Sequence, residues 1–325
     1  MGGAEDFSGW FPARLTWAET GGEAELDWVQ FDGPRFEDAF LEETIQACMR
    51  RPFNLMFRRR TGLQVLEPWA ERSPGIVPTG FVFHVSRCGS TLLAHLLRQL
   101  PDGLVLSEPG PVDAIVRANA GRSRLSRARQ VALLRAMVSA LGQKRTHGQA
   151  RLFIKFDAWN VLHLDLIREA FPETPWVFLY RDPLEVLVSA VGQRGLHTQP
   201  HVLPPSVFGL EAEAAAGPAE DYCARVLASI YRAGLEGCAT GRGILLHYPE
   251  LPLAAWTRVL PHFGLEPTEN VIALLQSAAG FNPKQGADFV PDAARKRAEA
   301  SSRTRAACDR WMRPVYGELE GRRLA

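Results

Sequence analysis

Residues 81–86, FVFHVS, form a short apolar run after Gly80 that stops in the turn Arg87-Cys88-Gly89-Ser90; TLLAHLLRQL follows at once with apolar residues at helical spacing. That pattern reads as strand, tight turn, helix. Such a junction aims backbone N–H groups and the positive end of a helix at one spot, where an anion binds well. Gly89 permits close backbone approach, and Ser90 and Thr91 add hydroxyl donors. A well-capped strand-to-helix turn without a ligand has the same local signature.

Further short apolar runs follow: GLVLS from Gly103, RLFIKF from Arg151, PWVFLY from Pro175 and GILLHY from Gly243. Helical segments separate them, two between about Val112 and Leu141, then VLHLDLIREAF, a helix around Pro183 to Gly192 and a long one from about Ala219 to Thr240. Strands of four to six residues alternating with longer helices imply right-handed crossovers and a parallel sheet covered on both faces. The fold class expected is therefore α/β: a three-layer P-loop-like domain with a central parallel sheet flanked by helices. Residues 1–75 mix Trp- and Phe-containing runs with one helical stretch near Asp38 to Arg50 and close in a Pro- and Gly-rich connector. They read as an N-terminal extension or cap, and residues 76–325 as the α/β domain.

The chain's 325 residues carry 37 basic and 36 acidic side chains, a formal net charge of +1, which argues against a polyanionic partner such as nucleic acid. Any anion site has to be built from a few residues. No segment reaches the roughly 18 apolar residues of a membrane span, and MGGAEDFSGWFPARL lacks a basic stretch followed by an apolar run. Cys48, Cys88, Cys223, Cys238 and Cys308 are odd in number and scattered. Reduced thiols and a cytoplasmic location are expected.

The turn at residues 86–91 is not a nucleoside triphosphatase loop, because Gly89 is followed by Ser90 with no Gly-Lys-Ser/Thr. It is not a tyrosine-phosphatase loop either, because Ala94 stands six residues after Cys88, where an Arg is required. A second strand-to-helix junction, Tyr180-Arg181-Asp182-Pro183, again ends a strand in an arginine. Ser189 follows Arg181 by eight positions.

With both elements in view, the sequence resembles the sulfotransferase superfamily, whose first loop binds the 5′-phosphosulfate of 3′-phosphoadenosine 5′-phosphosulfate and whose Arg and Ser, eight positions apart, bind its 3′-phosphate. The resemblance implies that this co-substrate is held by Arg87, Cys88, Gly89, Ser90, Thr91 and Leu92 at one end and by Arg181 and Ser189 at the other. Tyr248, in ILLHYPEL, looks like the family's strand-end tyrosine, although Pro249 stands where an acid is usual. Cofactor contact and core packing both suit its ring. Two separated anion sites match a ligand with phosphate groups at two ends of a ribose.

Sulfuryl transfer needs a base on the acceptor hydroxyl and cations on the non-reacting oxygens. Glu108, 21 positions after Arg87, resembles the catalytic glutamate of the branches that sulfate tyrosine or sugars; a capping or salt-bridging role is its alternative. Arg87 matches the loop cation. Lys155 resembles a basic residue assisting the glutamate, with a salt bridge to Asp157 or Glu108 as the other reading. His84, His95, His147 and His163 are less suited to the base's role. His197 and His201 have spacing that metals use but no adjacent carboxylate, so no metal is expected and they are assigned to acceptor lining. Arg58-Arg59-Arg60 reads as a solvated run, with an anionic acceptor or a membrane surface as its functional alternative, and Arg295-Lys296-Arg297 as a solvated helix face that alternatively closes over the nucleotide. The acceptor, whether small molecule, sugar or peptide, is expected against loops at Pro109–Arg129 and Gly195–Gly209 and parts of residues 1–75. The competing functions are a P-loop kinase and a non-catalytic nucleotide-binding protein.

Overall fold

The computed structural model describes residues 6–18, 24–120, 125–282, 287–288 and 293–324. Positions 121–124 of the expected acceptor segment lie outside them. The chain divides into two compact units: Met1–Phe81 with Leu97–Phe156 and Asp165–Thr174, and Val82–Leu96 with Asp157–Leu164 and Pro175–Ala325.

In the first unit, β1 (Trp10–Thr16), β2 (Glu25–Gln30) and β3 (Arg59–Gly62) form an antiparallel sheet in the order β1-β2-β3. Leu26 faces Thr61 and Trp28 faces Arg59 across β2 and β3. The β1–β2 register shifts between Pro12 and Arg14, next to a residue that has no N–H to donate. Phe7 stacks on Trp28 at 4.0 Å between centroids and meets Trp69 edge-on. Phe11, Phe31 and Phe36 surround the Arg145 guanidinium at 5.3, 5.2 and 4.3 Å from its carbon, and burial pushes that arginine down to about 10. The extension was expected to hold aromatic runs and one helix. The helix is present at Leu41–Met49, but the sheet was not anticipated, because β3 pairs with a strand some thirty residues away and its own sequence, RRTG, has no apolar alternation.

Along the α/β part lie β4 (Pro78–His84), β5 (Gly103–Ser107), β6 (Arg151–Lys155), β7 (Trp176–Tyr180) and β8 (Gly243–His247), in the sheet order β5-β6-β4-β7-β8. Parallel pairing puts Ser107 opposite Lys155 and Tyr180 opposite His247. Every residue of β5 and β7 is buried, which accounts for their unbroken apolar sequences. The fold class is the expected one, a parallel sheet flanked by helices.

The helix Arg127–Leu141 starts at Ser126, whose hydroxyl caps the Arg129 N–H. The segment expected as one helix from Val161 begins instead as a 3₁₀ turn, Ala158–His163, and becomes α-helical at Leu164–Ala170. In the second unit the helix Ala219–Ala239 lies directly on β7. At Gly234 a Cβ would sit 2.2 Å from the Phe178 ring, so only glycine allows that approach.

Candidate functional site

Strand β4 ends at His84, and the chain then turns through residues in the left-handed region: Ser86 at φ 70°, Arg87 at φ 52° and Gly89 at φ 86°. Two of these three carry side chains, a costly conformation of the kind that gathers at ligand sites. The His84 imidazole helps hold it, its Nδ1 accepting the Ser86 N–H at 3.0 Å. The neutral ring therefore carries its proton on Nε2, and His84 acts as a buried support of the loop. The helix Ser90–Arg98 starts on the far side of the turn, and the Ser90 and Thr91 side chains are almost buried. Cys88 points inward, its thiol donating to the Leu179 carbonyl, so this residue offers a ligand only its backbone. Arg87 reaches outward to the Gln193 side-chain oxygen at 2.7 Å.

The second junction is built by Asp182, which caps the helix Pro183–Gly192 by accepting the Leu184 and Glu185 N–H groups, with Pro183 at its first position. Arg181 is buried. Its Nε donates to Glu185 at 2.6 Å, its Nη1 approaches the Arg87 carbonyl at 3.5 Å, and its guanidinium carbon lies 4.3 Å from the Tyr248 ring centre. The Tyr231 hydroxyl in turn donates to the Arg181 carbonyl at 2.7 Å. Tyr248 also touches the first loop: a Cβ on Gly89 would fall 2.7 Å from its Cδ2. One aromatic ring thus packs against both anion-type turns. Ser189 is half-buried on the same helix, two turns beyond Arg181.

Arg297 also reaches this cluster, with Nε 2.9 Å and a terminal nitrogen 2.8 Å from the Glu185 carboxylate. The expectation of a solvated face for Arg295-Lys296-Arg297 holds for Arg295, which pairs with Glu299 on the surface, and in exposure for Arg297, which is 59% exposed. Lys296 is buried, and Arg297 turns to a carboxylate far away in sequence. Glu185 was missed by sequence reasoning. Its signal was the Arg181-to-Glu185 spacing of four, which sets side chains on one face at a helix start. No comparable local signal exists for Arg297.

Behind β7 and β8 lies a second polar cluster. The Tyr180 hydroxyl donates to Glu320, Arg323 binds both Glu320 and the Tyr180 oxygen, and His247 stacks on Tyr180 at 5.1 Å. Burial raises the Tyr180 and Tyr316 phenols, the latter to about 12. It lowers the His247 imidazole despite the opposing pull of Glu320. This network braces the residues immediately before Arg181 and Tyr248.

In the first unit, Lys155 and Glu108 pair directly. The lysine side chain is 1% exposed and the glutamate 25%, so the cation is enclosed and the carboxylate opens to solvent. Lys155 also lies 5.0 Å from the Phe40 ring centre. The Glu108 N–H donates to the Lys155 carbonyl at 2.6 Å, continuing the β5–β6 ladder past its end, and Glu108 itself takes φ 52°. Asp157 opens the next 3₁₀ turn.

His197 is buried beside Trp159, while His201 is exposed. Among the described residues no group of three or more metal-type side chains occurs, and no helix is long and apolar enough to cross a membrane.

The parallel α/β sheet thus carries two strand-to-helix turns, each joined to an arginine, an arrangement of the kind that suits anions. Residues 78–216 match the sulfotransferase family. The match supports sulfuryl transfer as the class of chemistry. No curated protein matches the chain in sequence. Among solved structures it is similar to sulfotransferase STF9 from Mycobacterium avium, at 13% identity and TM-score 0.48, covering 78% of this chain and 79% of that one. It is also similar to the sulfotransferase domain of the Synechococcus PCC 7002 olefin synthase, at 15% identity and TM-score 0.44, covering 76% and 95%. A sulfotransferase from Alicyclobacillus acidocaldarius matches at 16% identity and TM-score 0.39, covering 76% and 95%.

Proposed function

We propose that the protein transfers the sulfuryl group of 3′-phosphoadenosine 5′-phosphosulfate to a hydroxyl or amine acceptor. The observation that carries this reading is the Tyr248 ring, which packs against Gly89 of the first turn and under Arg181 of the second. It ties two anion-type turns into one arrangement suited to a ligand charged at both ends. The loop N–H groups from Arg87 to Leu92 take the phosphosulfate, and Arg181 with Ser189 takes the 3′-phosphate.

In the reaction the acceptor oxygen forms a bond to sulfur while the bond from sulfur to the bridging oxygen breaks, and that oxygen leaves with the phosphate. Glu108 accepts the acceptor's proton. Arg87 and Lys155 balance charge on the oxygens, a role suited to an enclosed lysine that is already oriented by a carboxylate. No metal takes part. A cytoplasmic location suits five cysteines that are all buried and outside disulfides.

The test is titration of 3′-phosphoadenosine 5′-phosphate into the wild-type protein and Arg181→Ala, followed by thermal shift. Micromolar or tighter binding that collapses in the variant is expected. Absence of binding, with a nucleoside triphosphate and Mg²⁺ binding instead, would replace the reading by a kinase. In the active enzyme, Glu108→Gln is expected to keep nucleotide binding while turnover falls roughly 10²- to 10⁴-fold. Unchanged turnover would remove Glu108 from the base's role.

A further inference from the structure

Residues 44–66 contain five arginines and no acidic residue, and the arginines bracket one apolar segment: Arg50-Arg51, then Pro-Phe-Asn-Leu-Met-Phe, then Arg58-Arg59-Arg60. The segment folds as a short helix, Pro52–Met56, whose only buried residue is Asn54. Asn54 is used internally: its side chain donates to the Gln30 and Cys48 carbonyls and accepts the Gln30 N–H. That anchoring turns the rest outward. Phe53 is 48% exposed, Leu55 50%, Met56 76% and Phe57 57%, four of the ten large apolar side chains exposed among the described residues. Single exposed apolar residues are ordinary, but four within five positions on a single anchored turn mark a contact surface.

The rim decides the occupant. Arg59 packs over Phe7 at 4.0 Å, and Arg51 and Arg60 pair with Asp32, Glu25 and Asp27 in exposed contacts of little strength. Arg50 and Arg58, one on each side of the apolar segment, are exposed. A second copy docking tip to tip would set arginine beside arginine. A protein groove needs some 20–30 residues a side, far more than this turn offers. A bilayer meets both requirements at one depth, with acyl chains for the tip and anionic headgroups for the guanidinium rim. Trp10, 5.9 Å from Phe53, adds a ring of the type that favours the interface.

We infer that the turn at residues 50–60 docks the protein onto an anionic lipid surface, with Phe53, Leu55, Met56 and Phe57 inserted and Arg50 and Arg58 on the headgroups. The experiment is co-sedimentation with vesicles of phosphatidylcholine alone and of phosphatidylcholine with phosphatidylglycerol. The protein is tested as wild type, Met56→Ser/Phe57→Ser and Arg50→Ser/Arg58→Ser, each checked for fold by circular dichroism and for mass by light scattering. Binding to the anionic vesicles alone is expected, weakening with salt. The apolar pair should weaken it at least about tenfold, and each arginine removed roughly fivefold. Wild-type protein that ignores anionic vesicles would overturn the inference, as would binding that survives both double substitutions. A wild-type dimer that Met56→Ser/Phe57→Ser dissociates would assign the tip to a second copy instead.

Discussion

Glu185→Gln should destabilise the free protein and at the same time enlarge the stabilisation that nucleotide confers. In the native state the Glu185 carboxylate, 4% exposed, serves Arg181 at 2.6 Å and Arg297 at 2.8 Å. Two unit charges about 4 Å apart attract by about 4 kcal/mol at an effective dielectric constant near 20, before desolvation is counted. Removing one partner of a buried pair costs about 3–5 kcal/mol, because the other charge stays behind uncompensated. Two features place this site at the low end. Arg297 is 59% exposed and swings into water, so its share is that of a surface pair, about 0.2–1 kcal/mol. Glutamine also keeps one oxygen for the Arg181 Nε, and the Tyr248 face still receives the guanidinium. A loss near 3 kcal/mol follows, equivalent to roughly 4–5 °C in Tm for a chain of this length. If the 3′-phosphate seats on Arg181, it supplies the missing negative charge. Saturating 3′-phosphoadenosine 5′-phosphate should then raise the Tm of Glu185→Gln by more than it raises that of wild type. A variant with unchanged Tm would refute the energetic argument, and a smaller ligand shift in the variant would refute the assignment of Arg181 to the phosphate.

Gly89→Ala combines φ 86° with a Cβ 2.7 Å from the Tyr248 ring; the backbone part alone costs about 1–3 kcal/mol. In a Tyr248→Ala background the collision disappears, so urea unfolding should show a smaller loss there, and equal losses in both backgrounds would deny the contact. Acid should weaken the fold in two stages. Burial holds the His247 imidazole below its ordinary 6.5, so the folded state favours the neutral ring; its contribution is complete above pH 6.5 and falls as pH drops below it. The Arg323 hydrogen bond holds Glu320 below its ordinary 4.5, and that contribution is lost at lower pH still, as pH falls through the depressed value. His247→Gln should erase the first stage in a Tm-versus-pH profile and leave the second; persistence of the first stage would move it to another group.

Much of the α/β part was legible because its signals are local. Short apolar runs ended at Arg87, Glu108, Lys155, Arg181 and Tyr248, and the structure ends β4 to β8 within a few residues of each. Pro183 after Asp182 marked a helix start that the structure places at the same residue. The N-terminal sheet was not legible. RRTG is a strand only because β2 offers it hydrogen bonds, and a four-residue polar segment has no periodicity of its own.

The candidate site divides along the same line. Sequence by itself determined the elements that depend on neighbours in the chain: the turn at residues 86–91, Arg181 at a strand end, and the four-residue step from Arg181 to Glu185, present in the sequence though unread. Tertiary structure alone decided that Arg297 joins Arg181 on one carboxylate, that a single tyrosine ring meets both turns, that Lys155 is enclosed while Glu108 opens to solvent, and that Asn54 turns four apolar side chains outward. The physical reason is range. Backbone propensity and periodicity act over one or two turns of chain, whereas burial and ion pairing depend on which distant segments the fold has already brought together.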